Sequence, residues 1–246
     1  MTTTITSKQS SLDERRAKST AWALTFADLV TLLLTFFVLL LVILNDAEKY
    51  IDDVINKLLD ETYEEMEQSL SSETTSVERV TKGIKITIRG NLFKSTSADV
   101  EPEYYPVIHR IGKIIRESEV INLFDDKDYT NLLDLIDKKG QQLDVEVRCE
   151  GHTDDEKLPP NADYPSNWEL SASRSLNIVR LMNKYAAMPE KYFSAMGYGE
   201  FRPIIDVKSI SNYDEKNKAR AINRRVEIYL DAFLKQKVRS EIEINI

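Results

Sequence analysis

Cysteine, histidine, glycine and proline are all scarce in this chain. Its 246 residues include one cysteine, two histidines, and seven each of glycine and proline. A single cysteine excludes an intrachain disulfide and every zinc site that is built from cysteine pairs. The histidines, His109 and His152, lie far apart in the sequence, and no Ser/His/Asp or metal-binding pattern surrounds either of them. The sequence therefore predicts no enzyme, no cofactor and no metal, and His152 is interpreted as a side chain that fixes a loop.

The charge of the chain is negative. Its 41 acidic and 33 basic residues give a formal net charge of -8, which argues against a nucleic-acid partner. The lone Cys149 alternates with Leu143, Val145 and Val147 on one face of a predicted strand. An inert core thiol is the favoured interpretation there, with an intermolecular disulfide as the alternative.

One long apolar run, Ala21 to Leu44, dominates the N-terminal part of the chain. As a helix it is about 36 Å long, enough to cross a bilayer core of roughly 30 Å. A cleaved signal peptide would have a shorter apolar core and a small-residue cleavage site, which Asn45 to Glu48 do not offer. We therefore expect an uncleaved transmembrane anchor.

The charges that flank this run predict its orientation. Basic residues precede it, whereas acidic residues beside a lone lysine follow it: Arg15, Arg16 and Lys18 before; Asp46, Glu48, Asp52 and Asp53 with Lys49 after. The positive-inside rule then places residues 1–20 in the cytoplasm, where residues 1–12 are expected to be disordered, and the rest of the chain across the membrane.

Asp28 is the one ionisable residue within the apolar run. Inserting it costs about 2.5–3.5 kcal/mol at the centre of a membrane helix, so its presence requires a reason. Thr31 and Thr35 share its face of the helix, with Thr25 at one flank, and together they form a narrow polar stripe. An ion-carrying carboxylate lined by Thr31 and Thr35 is the favoured function, and a carboxylate that only specifies assembly is the alternative.

Residues 45–80 are predicted to link the membrane to a folded domain. Ile51, Val54, Ile55, Leu58 and Leu59 recur at helical spacing, which predicts an amphipathic helix that packs on a partner helix or a neighbouring domain. The polar stretch 69–76 predicts a flexible hinge.

Residues 81–231 carry the pattern of a small α+β sandwich, in which helices pack on one face of a sheet. Alternating apolar residues predict strands at 83–90, 142–150, 192–196 and 224–230, and helical periodicity predicts helices at 103–117, 120–139 and 168–185. An acidic break within the second helix, Asp125 to Asp128, lacks the order of a calcium loop and is interpreted as a solvated charge run. Residues 232–246 are expected to form a charged tail.

Asp154 and Arg174 are the candidate binding residues of this domain. Asp154 follows a predicted strand, and Ser166 or Asn167 is placed to cap the helix that carries Arg174. A carboxylate and a guanidinium a few ångströms apart suit a zwitterionic ligand, although an ordinary surface salt bridge explains the pair equally well.

Motifs around these residues resemble the peptidoglycan-binding domain of the OmpA and MotB family. They are EGHTDD, NWELSASRS, MGYGEFRPI and ARAINRRVEIYL, in that order. The resemblance covers about residues 81–230 and implies binding of a diaminopimelate-type stem peptide of the cell wall. By position, Asp154 and Arg174 would be the main ligand residues, supported by Asn167 and by Arg224 or Arg225.

The membrane run WALTFADLVTLLLTFF resembles the helix of the stator subunit MotB, and Asp28 matches its ion-carrying aspartate. This resemblance implies a homodimer inside a pentamer of a polytopic MotA-like or ZorA-like channel subunit, in the inner membrane, driven by ions, with protons favoured over sodium. Residues 46–70 would plug the channel or pair the two copies. Within the family the chain most resembles the ZorB subunit of the Zorya anti-phage system. A flagellar MotB subunit and a passive wall tether are the alternatives.

Overall fold

A computed structural model describes the backbone of residues 3–237 and, within it, the side chains of residues 20–43, 49–185 and 187–237. The orientation across the membrane was predicted partly from Arg15, Arg16, Lys18, Asp46 and Glu48, whose side chains lie outside the described ones. The tail 238–246 also lies outside the described residues. The chain forms two compact units, Met1–Asp53 and Val54–Ile246.

The first helix, α1, is continuous from Thr3 to Leu70. No glycine precedes Gly83 and no proline precedes Pro102, so no helix-breaking residue interrupts this stretch. The expectation that residues 1–12 are disordered is wrong for residues 3–12, which are helical. Within α1, the 24 residues Thr20–Ile43 are long and apolar enough to cross a membrane.

A mixed five-stranded sheet organises the second unit, in the strand order β1-β2-β5-β3-β4. Strands β3 and β4 are parallel, and the other neighbours are antiparallel. The strands are β1 Thr75–Val80, β2 Gly83–Arg89, β3 Gln141–His152, β4 Phe193–Gly197 and β5 Arg225–Gln236. The helices are α2 Tyr105–Glu117, α3 Glu119–Asn122, α4 Thr130–Lys138, α5 Asn167–Ala186 and α6 Tyr213–Asn223.

One face of the sheet carries the hydrophobic core. Ile86 of β2 lies opposite Ile228 of β5, which in turn lies opposite Cys149 of β3, and all three side chains are fully buried. Helices α5 and α4 contact β3, and α2 packs on α5. Cys149 is free, and burial raises the pKa of its thiol to about 12, as expected of an inert core thiol.

The structure differs from the sequence-based elements in three places. The predicted hinge 69–76 is shorter, because β1 begins at Thr75 and extends the sheet before residue 81. Helix α6 was not predicted. Strand β5 continues to Gln236, so residues 232–236 belong to the sheet rather than to a charged tail, because they pair with the first half of β3.

The last part of α1, within the second unit, buries an apolar stripe. Leu58, Leu59 and Met66 are each at most 2% exposed. Arg79 of β1 donates from Nε to Asp60 at 2.7 Å and from Nη2 to Asn56 at 2.8 Å, which ties this stretch of α1 to the sheet. The amphipathic segment predicted from the sequence therefore packs on the neighbouring domain of its own chain.

Two glycines allow α5 to lie close against the sheet. A Cβ atom on Gly151 of β3 would lie 2.2 Å from the carbonyl oxygen of Ser171, and one on Gly197 of β4 would lie 2.3 Å from the nitrogen of Ala172. Since side chains cannot fit at these two points, the glycines set the position of the N-terminal half of α5 beside the end of β3.

Candidate functional site

A cavity of about 720 Å³ lies in the second unit, beside the end of β3. Its walls come from the loop after β2, the loop after β3, the first turns of α5 and the start of β5. The residues predicted to bind peptidoglycan all line it: Asp154, Asn167, Arg174, Arg224 and Arg225. The fold thus brings together residues that are far apart in the sequence.

Asp154 is a buried carboxylate at the cavity wall, with 6% of the residue exposed. Its Oδ1 atom accepts a hydrogen bond of 3.1 Å from the backbone of Glu156, and its Oδ2 atom lies 2.6 Å from Nη1 of Arg224. The residue therefore has a fixed orientation, and it is paired with Arg224 rather than with Arg174.

Arg174 projects from α5 into the same cavity and is 7% exposed. Its Nε atom donates to the carbonyl of Ser97 at 3.0 Å, and its guanidinium carbon lies 4.8 Å from the ring centre of Phe93. Burial lowers the pKa of Arg174 to about 10, and the charge of Asp154 partly offsets that effect, so the side chain is cationic at neutral pH. Among the described residues, none accepts a hydrogen bond from its Nη1 atom, which leaves that group available to a ligand.

Asn167 joins the two walls at the start of α5. Its Nδ2 atom donates to the carbonyls of Asp154 at 3.3 Å and Glu156 at 2.9 Å and to the carboxylate of Glu200 at 2.9 Å. The helix cap is Ser166, whose hydroxyl accepts from the backbone of Trp168 at 3.1 Å. Asn167 therefore fixes the loop that carries Asp154.

The two adjacent arginines have different environments. Arg224 bonds to Asp154, and more than a third of its side chain (37%) is exposed. The Arg225 side chain is 6% exposed and lies 2.7 Å from Glu227, and its other nitrogens donate to the carbonyls of Asn223 and Arg202. The geometry thus favours Arg224 as a ligand residue and makes Arg225 part of the sheet.

The charges that line the cavity are mixed, with more basic than acidic residues. The basic residues are Lys94, Lys157, Arg174, Arg224 and Arg225, and the acidic residues are Glu101, Asp154 and Glu156. A ligand that carries both an ammonium and several carboxylates matches this lining. The cavity offers a carboxylate for the former and guanidinium groups for the latter.

Some residues that shape the cavity were not predicted from the sequence. The loop after β2 supplies the ring of Phe93 and the carbonyl of Ser97, which both contact the guanidinium of Arg174. Arg220 of α6 forms an ion pair with Asp155 at 2.7 Å. Their only signal in the sequence is position: Phe93 follows the first predicted strand, and Arg220 lies one helical turn before Arg224.

A second polar group lies on the sheet face opposite the core. Glu150 and Glu227 are paired across β3 and β5, and their carboxylates come within 4.8 Å of each other and of the imidazole of His152. Burial, together with the charge of Arg225, lowers the pKa of His152 to about 4, so its ring is neutral at pH 7. These three residues could hold a metal, an arrangement that cysteine spacing could not reveal.

The membrane segment carries Asp28 on the same face as Thr31 and Thr35. The threonine hydroxyls donate to carbonyls of their own helix: Thr31 to Ala27 and Asp28, and Thr35 to Leu32, at 2.8–2.9 Å. No hydrogen bond or ion pair to the Asp28 carboxylate occurs among the side chains that the structure describes.

Comparison with known proteins gives two family matches. Residues 7–71 match the family described as membrane MotB of the proton-channel complex MotA/MotB, and residues 92–220 match the OmpA family. The uncharacterised protein YtxE of Bacillus subtilis is 29% identical over 86% of this chain and 88% of its own length. Motility protein B of the same organism is 26% identical over an alignment that covers 76% of this chain and 54% of that protein.

Among solved structures, a MotB-like protein from Desulfovibrio vulgaris has the same fold. It aligns with a TM-score of 0.52 at 20% identity and covers 75% of this chain and 98% of its own. This likeness supports the assignment of the α+β fold and, at that identity, says nothing of the ligand.

Proposed function

This chain belongs to the OmpA family and is MotB-like, and we propose that it is the wall-anchored subunit of an ion-driven membrane complex. In this proposal the helix Thr20–Ile43 spans the inner membrane once, with the N-terminus in the cytoplasm. The α+β unit lies on the outer side and binds peptidoglycan.

The cavity beside β3 carries the wall-binding part of the proposal. It combines a buried carboxylate, Asp154, with an uncommitted guanidinium nitrogen of Arg174 in one enclosed space. The diaminopimelate of a stem peptide carries an ammonium and a carboxylate on one carbon, and the rest of the peptide carries further carboxylates. Asp154 would accept from the ammonium, and Arg174 and Arg224 would donate to the carboxylates.

Binding of the purified full-length protein to isolated sacculi tests this part. We expect Arg174→Ala to weaken binding by about 30-fold or more, the equivalent of about 2 kcal/mol, because the carboxylate of the ligand loses its buried cationic partner. Arg180→Ala is the matched control, since Arg180 lies on the same helix and is exposed. Equal binding by wild type and Arg174→Ala would contradict the proposed site.

The membrane helix carries the ion-driven part of the proposal. Asp28 is a carboxylate in an apolar helix and has no partner among the described side chains. The family that matches residues 7–71 is described as membrane MotB of a proton-channel complex, which supports an ion-carrying role. In this proposal a MotA-like channel subunit surrounds a pair of these chains as a pentamer, and Asp28, flanked by Thr31 and Thr35, takes up and releases a proton. One charge that crosses 100 mV supplies about 2.3 kcal/mol, so several crossings can drive a conformational cycle.

Two biological roles fit such a complex. The leucine-rich span and the acidic segment after it support the Zorya-like anti-phage role with a ZorA-like partner. The relative named motility protein B supports a flagellar role. We propose a stator function in either case, and measuring swimming speed and phage plaque counts in the same strains distinguishes the two roles.

Residues 46–70 would regulate the channel as a plug or pair the two copies. In the second unit the apolar stripe of this segment is buried on its own chain. Either role therefore requires that the stripe leave this position, which the tie of Arg79 to Asp60 and Asn56 opposes.

A further inference from the structure

The geometry points to a structural site for one divalent transition-metal ion, held by Glu150, His152 and Glu227 on the sheet face opposite the core. This inference goes beyond wall binding and ion transport, and it does not depend on either. Three observations carry it: the spacing of the ligand atoms, the unsatisfied imidazole, and the charges around it.

The spacing fits a metal better than a hydrogen bond. The Nε2 atom of His152 lies 3.9 Å from Oε2 of Glu150 and 3.8 Å from Oε2 of Glu227, beyond hydrogen-bond distance in both cases. An ion about 2.1 Å from each atom would make N–metal–O angles of about 130–136°, so a tetrahedral arrangement requires each carboxylate to approach the imidazole by about 0.4–0.5 Å. Imidazole nitrogen with carboxylate oxygen is a ligand set suited to zinc and its first-row neighbours rather than to calcium or magnesium.

The imidazole of His152 lacks a partner although it is buried. The residue is 3% exposed, and neither ring nitrogen has a hydrogen-bond partner among the residues that the structure describes. The ring of Tyr198 stacks on it at 5.4 Å between centres and holds its plane. A buried polar group that is left unsatisfied destabilises the folded state, so a ligand on Nε2 would explain the arrangement. The hydroxyl of Thr87 is also buried without a partner, and Thr87 lies directly opposite Glu227 in the ladder.

The charges around the three residues leave two carboxylate oxygens facing the imidazole. Glu150 uses Oε1 to bind Arg148, and Glu227 uses Oε1 to bind Arg225 at 2.7 Å. The remaining oxygens are both turned towards Nε2, and that of Glu227 also accepts from Tyr229 at 2.8 Å. Arg148 is shared with Asp231 at 2.9 Å, so the buried layer holds three carboxylates and two guanidinium groups. These five groups have a formal charge of -1, which favours a cation over an anion between Glu150 and Glu227, while the positive charge of Arg202 also acts on His152.

The site would be structural rather than catalytic. The side chains of the three residues are 2–10% exposed, which leaves little room for a substrate. A metal there would join β3 to β5 across the middle of the sheet, next to the strand end that carries Asp154.

Zinc titration of the metal-free full-length protein in detergent micelles tests the inference. We expect one Zn²⁺ per chain by calorimetry and a rise in the unfolding temperature of roughly 5–10 °C at a hundredfold excess over Kd. His152→Asn and Glu227→Gln should abolish both effects. His109→Asn is the matched control, because it removes the other, exposed histidine.

The Co²⁺ absorption spectrum of the wild-type protein gives a second readout that does not depend on whether a variant folds. Visible bands typical of Co²⁺ bound by one nitrogen and two carboxylate oxygens are expected, and they should disappear when Zn²⁺ competes. Wild-type protein that binds no Zn²⁺ at one per chain, or that keeps its binding in His152→Asn, would overturn the inference. Loss of sacculus binding alone would bear only on the wall-binding proposal.

Discussion

Buried charges in this protein fall into two groups with different purposes. Asp154 and Arg174 face a cavity and keep hydrogen-bonding capacity for a ligand, whereas Arg225 and Glu227 satisfy each other inside the sheet. Arg224 and Arg225 both line the cavity, but their partners differ: Arg224 binds Asp154, whereas Arg225 binds Glu227.

Replacement of the two arginines should separate these groups. We expect Arg225→Ala to lower the free energy of unfolding by about 3–5 kcal/mol, because Glu227 is left buried and unpaired. Arg224→Ala should cost only about 1 kcal/mol, because Asp154 keeps the hydrogen bond from the backbone of Glu156 and the nearby charge of Arg174, and it should weaken sacculus binding instead. Urea unfolding followed by near-UV circular dichroism measures the difference. Equal losses of stability in the two variants would show that Arg224 is structural.

Among the helices, the C-terminal part of α1 has a structural role that mutation can test. Met66 is fully buried within the second unit, and Glu65 beside it is exposed. Residues 54–70 therefore belong to the folded domain and do not form a free linker.

We expect Met66→Ala to lower the free energy of unfolding of this unit by about 2–5 kcal/mol, because it leaves a cavity in a packed interface. Glu65→Ala should change it by less than about 0.5 kcal/mol. Hydrogen exchange of the amides in residues 54–70 gives the same comparison locally. Unchanged stability and exchange in Met66→Ala would mean that this stripe packs on another chain instead.

The sequence predicts the elements that have a regular apolar pattern. The alternation of Ile84, Ile86 and Ile88 identifies β2, and the helical spacing of Ile108, Ile111 and Ile115 identifies α2. Strand β1 was missed because it is polar and lies at the sheet edge, and α6 was missed because only Ala219 and Asn223 of it are buried.

The candidate site shows the same limit. Motifs identify Asp154, Asn167 and Arg174, but the partners of these residues depend on the tertiary fold. The Glu150 and Glu227 pair depends on the register of β3 with β5, which no local pattern specifies.

In the proposed function, a membrane helix that carries one carboxylate is joined to a domain that binds the cell wall. Anchoring gives the helix a fixed point against which a channel subunit can move. In this proposal Asp28 would couple ion flow to that motion, and a partner chain would complete its site.

The most direct test of this claim is the activity of the complex in native cells whose chromosomal copy carries Asp28→Asn. Swimming speed and phage plaque counts are recorded on the same strains, with Asp52→Asn as the control carboxylate outside the apolar span. We expect Asp28→Asn to abolish whichever activity the wild type supports, while the protein still fractionates with membranes and sacculi. Wild-type activity in the Asp28→Asn strain would contradict it.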